Sequence, residues 1–368
     1  MKTVFVSIPW FLPAYKAGGP IQSVANMVAA LAGQYRFYIF TADQDVDGNK
    51  VSVPQTDTWL SWNDHTQVFY TSVRRKEILQ QTILDVKPDF IFIIGIYDPL
   101  FTGAVLFLKT NAVKLLSVRG MLHPGALSVK SFKKKLYLRY LQWRGVSNEL
   151  VFHATDDKEA AHIRGIFSAA TIRIAGNFPQ CNPVVSMPEK KQGHLILISV
   201  GLISPMKNIA LVLEALEHQT ESIVYHIIGG INDQDYWMRC QALINQLPTH
   251  IAVVYHGDVA PHTVCSMLAG AHVFILPSKS ENFGHAIFEA LSAGLPVITS
   301  HHTPWNMLQE QQAGLNVDLN SAAISSSIRH FANMDAPTFI HFHHGARQYA
   351  VDWLHKQSLH QQYQALFQ

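Results

Sequence analysis

Cysteine, charge and long apolar runs are all scarce in this chain. Three cysteines occur in 368 residues, Cys181, Cys240 and Cys265, with no CxxC spacing among them. That excludes a disulfide-stapled scaffold, argues against a zinc site and suits a reducing compartment, with the three thiols read as buried. Charged residues are only 15% of the chain, against 48% apolar, so full cores are expected and disorder is not. The net charge of +2 gives no global field, which argues against wholesale nucleic-acid binding; any anionic ligand must be held by local groups. The first thirteen residues hold one Lys and a six-residue apolar run, too short for a signal peptide or a membrane span, so a cytoplasmic protein is expected. No tandem repeat or low-complexity tract is visible. Histidine is plentiful, at 20 residues, but His301-His302 and the group around His341, His343 and His344 lack ligand spacing with Cys or a carboxylate, and no metal is expected.

What is present is a succession of short β-branched runs separated by helical patterns, the signature of doubly wound α/β architecture. Residues 3–8, 37–41, 68–71, 90–94, 113–118, 150–153 and 171–174 read as strands in the first half, and 195–200, 223–228, 251–255, 272–276 and 296–299 in the second. Between the halves, residues 179–193 contain prolines and no periodic pattern, and read as a linker. Two Rossmann-like domains follow, 1–178 and 194–345. Residues 346–368 place Tyr349, Trp353, Leu359, Tyr363 and Phe367 at helical spacing and are expected to pack back on the N-terminal domain.

Ligands of such sheets sit beyond the carboxyl ends of the strands, where loops lead into helices. Three such loops stand out. After the first strand, Gly18-Gly19-Pro20 opens a helical run, the arrangement by which helix N-termini cradle phosphate. It is not a GxGxxG fingerprint, which counts against a nicotinamide enzyme. In the loop Gly201–Asn208, Lys207 lies at a helix start, where the helix dipole opposes it and a bound anion would explain it. In the third, Glu281 follows a strand and Glu289 lies eight residues on, along the helix opened by Gly284. Ionised carboxylates in that position accept charge-assisted hydrogen bonds from sugar hydroxyls.

The string from Glu281 to Glu289 resembles the E-x7-E signature of the retaining glycosyltransferases of family 4, which have the GT-B fold of two Rossmann-like domains facing a central cleft. Gly18-Gly19-Pro20 and the Gly201 to Lys207 loop fall in the order and context of that family. The stretches Arg119–Leu127, His153–Glu159 and Thr303-Pro304-Trp305 resemble a bacterial subgroup that builds capsule, O-antigen or exopolysaccharide. The resemblance implies transfer of a sugar from a nucleoside-diphosphate donor, UDP or GDP, with retention, to a growing and lipid-linked surface polysaccharide. It implies that Lys207 holds the diphosphate and that Glu289 accepts from the ribose hydroxyls. Glu281, with the backbone N–H groups of Asn282, Phe283 and Gly284, would hold the donor sugar, while Gly18 and Gly19 let the first loop approach the diphosphate. Arg119 is implied to stabilise the departing phosphate, and His123 is a candidate for acceptor contact. No cofactor and no metal are required if these groups supply the positive charge. The sequence departs from the family at Leu202, where relatives carry a second cation, Arg, and at Arg119, where many have His. The departure at Leu202 keeps a non-catalytic sugar-nucleotide scaffold in view, beside a nucleotide-sugar epimerase of the same shape.

One further feature is local charge. Lys130, Lys133, Lys134, Lys135, Arg139 and Arg144 are interleaved with Phe132, Leu136, Tyr137, Tyr140, Leu141 and Trp143 and with no acidic residue. On a helix this makes a basic, aromatic-rich surface suited to an anionic leaflet, with Lys133, Lys134, Lys135 and Arg139 facing the membrane. The protein is accordingly expected to be peripheral at the inner face of the plasma membrane.

Overall fold

A computed structural model describes residues 1–128 and 131–368. Two compact units result, one of Met1–Phe178 with Ser358–Gln368 and one of Pro179–Gln357. The first is built on β1 (Lys2–Ser7), β2 (Tyr35–Ala42), β3 (Trp59–Asn63), β4 (Thr66–Thr71), β5 (Phe90–Ile94), β6 (Val113–Ser117), β7 (Val151–Ala154) and β8 (Thr171–Ile174). Their order in the sheet is β3-β4-β2-β1-β5-β6-β7-β8, parallel except where β3 pairs antiparallel with β4. The apolar run of β5 is buried along its whole length, as a central strand covered by helices on both faces requires.

The second unit holds β9 (His194–Val200), β10 (Ser222–Ile228), β11 (Ile251–Tyr255), β12 (Val273–Leu276), β13 (Val297–Ser300) and β14 (Gly314–Val317). They form a parallel sheet in the order β11-β10-β9-β12-β13-β14, the doubly wound order of mononucleotide-binding folds. Residues 179–193 carry no helix or strand and are fastened to this unit: the Asn182 N–H donates to Ser292 Oγ at 3.0 Å, and the Val185 N–H to the Ala293 carbonyl at 3.1 Å.

The C-terminal segment divides later than its sequence suggests. The helix Ala336–Lys356 runs unbroken through Gly345 and belongs to the second unit, burying Phe339, Phe342, Ala346 and Ala350. Gly345 does not end it; a Cβ there would lie 2.3 Å from the Gln312 carbonyl oxygen, so the glycine admits a neighbouring loop. Only the short helix Leu359–Leu366 joins the first unit, where Leu359, Tyr363 and Leu366 are buried and Gln362 Oε1 accepts from the Gly176 N–H at 2.8 Å. Of the cysteines, Cys240 is buried but Cys181 is exposed, because it lies in the irregular segment rather than in a core element. Among the described residues no helix is long and apolar enough to cross a membrane.

Candidate donor site

The strand order of the second unit reverses direction between β9 and β12, and at such a switch point the loops leaving the two strands part to either side of a crevice. Both loops carry residues singled out by the sequence. They are tied together by the Lys279 N–H, which donates to the Met206 carbonyl at 2.8 Å. The stem of Lys207 lies across Gly201, where an added Cβ would meet its Cε at 3.5 Å. Asn208, in the left-handed region at φ 63°, then turns the chain into the helix Ile209–Leu216.

Lys207 Nζ donates to Glu281 Oε1 at 2.6 Å, and Ser278 Oγ donates to the same oxygen at 2.6 Å. The two charged side chains keep 25% and 10% of their surface open, so the pair is half-shielded and reachable. Ser278, which the sequence reading did not single out, is positioned in turn by Ser300 Oγ, which donates to its carbonyl at 2.5 Å. The trace of this in the sequence is a serine at or just past the end of each of two buried strands. The turn Asn282 to Gly284 is pinned from below by Trp305, fully buried, whose Nε1 donates to the Phe283 carbonyl at 2.6 Å. Phe283 itself is a core side chain, stacked edge-on against Trp305 with centroids 5.2 Å apart. Gly284 sits at φ 77° as the cap of the helix His285–Ala293; a Cβ there would strain the backbone and approach Trp305 Nε1 at 3.2 Å. The helix N-terminus is thereby held open at an anion-favouring end.

Glu289 lies on this helix, and burial pushes its carboxyl up to about 7. Unlike Glu281, it has no ion-pair partner among the described residues, so a ligand hydroxyl donating to it would meet an acceptor not already in use. Leu202 and Met206 are exposed beside Lys207. The second unit therefore brings Lys207, Glu281, Asn282, Phe283 and Gly284 to one loop pair, with Glu289 on the helix that follows.

The first unit holds the remaining residues. Gly18, at φ 76°, caps the helix Gly19–Ala30, and the loop before it is anchored by Asp45, which accepts from the N–H groups of Tyr15 at 2.9 Å and Lys16 at 3.1 Å. Asp45 was not foreseen; its partners lie about thirty residues away along the chain and nothing local marks it. The guanidinium of Arg119, the residue implied to stabilise a departing phosphate, makes its hydrogen bonds inside the unit. Nη1 donates to Ser23 Oγ at 2.9 Å and to Asn177 Oδ1 at 2.5 Å, while Nε and Nη2 are buried without hydrogen-bond partners. The next residue is held equally firmly, since the Gly120 N–H donates to the buried Glu159 carboxylate, which also accepts from the Thr155 N–H and Oγ1. Close by, burial and then the Arg119 charge hold His153 neutral, its pKa lowered to about 3. His123 is exposed, its Nδ1 accepting from the Gly125 N–H at 3.1 Å and its ring 5.1 Å from that of His162.

The basic segment departs from the expected surface at one residue. Lys133, Lys135 and Arg139 are exposed on the helix Ser131–Trp143, but Lys134 turns inward. Its Nζ donates to the Ala126 carbonyl at 2.6 Å and lies 5.3 Å over the Tyr97 ring, because residue 134 falls on the face that packs against the sheet. Lys130 lies outside the described residues.

Known proteins resemble the chain in part. Residues 186–335 match the family "Glycosyl transferases group 1". The chain is 28% identical over 185 residues to a putative colanic acid biosynthesis glycosyltransferase, WcaL, of Salmonella typhimurium, covering 47% of this chain and 45% of that protein. It is 31% identical over 157 residues to the O-antigen chain mannosyltransferase B of Escherichia coli, covering 40% and 39%. The matched stretches thus span less than half the length of these relatives. Among solved structures, sucrose-phosphate synthase of Thermosynechococcus elongatus superposes with a TM-score of 0.70 at 17% identity, over 100% of this chain and 99% of the other. The segment that carries Lys207, Glu281 and Glu289 is a group 1 glycosyl transferase domain, set in the two-domain α/β architecture of the GT-B fold.

Proposed function

We propose that the protein is a retaining glycosyltransferase that moves a sugar from a nucleoside diphosphate, UDP or GDP, to a growing, lipid-linked bacterial surface polysaccharide at the inner face of the plasma membrane. The observation that carries this reading is the Lys207–Glu281 pair at the switch point of the second sheet, with Glu289 on the helix that follows. In this reading a diphosphate takes over Lys207 from Glu281, and the freed Glu281 carboxylate accepts from hydroxyls of the donor sugar beside the Asn282 to Gly284 backbone. Glu289 accepts from the ribose. Negative charge grows on the leaving diphosphate as the glycosidic bond breaks, and a cation with a helix N-terminus already aimed at it lowers that barrier without reorganising. The acceptor hydroxyl attacks the face that the diphosphate leaves, so configuration is retained. Gly18 and Gly19 offer a second helix N-terminus to an anionic group. Lys207 and the helix ends supply the positive charge, so EDTA leaves turnover unchanged.

The test is thermal stability of the purified protein with UDP, GDP, CMP or ADP, for wild type and Lys207→Ala. A ligand at a hundred times its Kd adds about 2.7 kcal/mol. One diphosphate is expected to stabilise wild type and not the variant; no response from any of them overturns the donor site. Leu202, which leaves the site without the second cation of its relatives, favours one other reading, a sugar-nucleotide-binding scaffold. Donor binding with no transfer to extracted lipid-linked saccharide, detected by mass spectrometry, is the result that supports it.

A further inference from the structure

We infer that the outward face of the helix Ser131–Trp143 docks the protein on an anionic phospholipid bilayer by inserting its apolar side chains between the lipid headgroups. A helix laid on a sheet needs one apolar stripe, and this helix has it: Leu138 and Leu141 are buried. It also carries a second one that the described residues leave largely open, with Tyr140 edge-on to the Phe107 ring at 6.2 Å. Phe132 is 79% exposed, Leu136 62%, Tyr140 43% and Trp143 79%. Their spacings of four, four and three residues set them along a single face at 3.6 residues per turn. The solvent face of a helix is ordinarily polar, and four large apolar side chains in a row on it mark an interaction surface.

Charge decides the partner. Exposed Lys133, Lys135, Arg139 and Arg144 flank the stripe, with the Arg144 guanidinium 4.9 Å over the Phe107 ring. No Asp or Glu occurs between Asp98 and Glu149. A second copy of this chain would press the same basic rim against itself, whereas an anionic leaflet neutralises it and accepts the aromatic side chains. Aromatic and leucine side chains on one face with Lys and Arg along its borders are what an interfacial helix presents to lipid. This deepens the proposed function, giving the surface by which an enzyme of lipid-linked acceptors meets its membrane. It is nevertheless tested without a nucleotide or an acceptor.

The experiment is co-sedimentation of the full chain with vesicles of phosphatidylcholine alone or mixed with phosphatidylglycerol, for wild type, Phe132→Ser with Trp143→Ser, and Lys133→Glu with Lys135→Glu. Trp143 is followed by the emission difference between wild type and Trp143→Phe. Wild type is expected to bind the anionic vesicles and not the neutral ones, with a blue shift assigned to Trp143. The aromatic double variant should lose about tenfold or more in binding, since two large side chains no longer leave water. The charge double variant should lose binding in a salt-dependent manner. All four substituted positions are exposed, so the unfolding temperature and the nucleotide response should match wild type, which separates failure here from failure of the donor site. Unchanged binding by the aromatic variant, or no Trp143 shift, would reduce the surface to charge adsorption and overturn insertion. A wild-type dimer in solution that the aromatic variant dissociates would overturn the lipid assignment in favour of a second copy.

Discussion

Each unit sets a glycine at the head of a helix and carries a cation beyond a strand end, and the two cations are held in different ways. Lys207 has one charged partner, Glu281, on a neighbouring loop, and a quarter of its side chain is open. Arg119 is bonded to Ser23 and Asn177, with two further guanidinium nitrogens buried. A part-exposed ion pair gives up its partner at small cost, because water and screening already weaken it. A buried guanidinium does not, because turning it outward takes away the charged donor shared by the Ser23 hydroxyl and the Asn177 amide oxygen, which would keep only the bond between themselves. Under the proposed function the difference makes Lys207 the group that a diphosphate would recruit, whereas the contacts of Arg119 tie the Gly120 turn to the helix Gly19–Ala30.

The largest expected effect tests the Lys207 side of that contrast. Replacing Lys207 with Ala removes a charge-assisted contact worth about 1.5–3 kcal/mol, so the nucleotide Kd should rise by about ten- to a hundredfold. The unfolding temperature without nucleotide should barely move. Isothermal titration and calorimetry give both numbers, and a variant that keeps its affinity but melts early would put Lys207 in the same class as Arg119. The mirror experiment is Arg119→Met. It leaves Ser23 and Asn177 without their common donor, for an expected loss of about 1–3 kcal/mol in stability, while nucleotide affinity measured on the folded variant stays near wild type. Full stability combined with collapsed turnover would return Arg119 to the reacting phosphate and erase the contrast.

How much of this was legible in the chain follows the same division. Buried parallel strands read as apolar runs, so β5 and β12 stood out. β3 did not, because Trp59–Asn63 has no β-branched residue and is only partly buried at a sheet edge. β14, Gly314–Val317, was missed as well, four residues long with a polar Asn316 in it. Lys207 and Glu281 lie 74 residues apart, yet their meeting was foreseeable, because both follow strands that flank a switch point and topology makes those loops neighbours. The fate of Arg119 was not foreseeable. Its partners are 96 and 58 residues away, on a helix and an irregular segment whose packing no local pattern announces. A motif told which residue types stand at the strand ends but not which way a long cationic side chain turns.

The smallest effect separates the two carboxylates of the second unit. Glu281 is already paired, whereas Glu289 has burial alone acting on it, which raises its carboxyl from 4.5 to about 7. A ribose hydroxyl donates to the ionised form, so nucleotide affinity should fall as the pH is lowered from about 8 to 6, by less than the tenfold per pH unit that one proton permits. Glu289→Gln should flatten this dependence, and the difference between the two proteins removes the titration of the nucleotide's own phosphate. Stability without nucleotide should run the other way. Because the folded state binds this proton more tightly than the unfolded chain, the contribution is fully present below about pH 4.5 and is lost as the pH rises through about 7. Opposite pH trends for stability and for nucleotide affinity, both lost in Glu289→Gln, would place Glu289 in contact with the ligand. A stability trend that disappears in the variant while the affinity trend persists would leave Glu289 as a buried acid of the helix and move ribose recognition elsewhere.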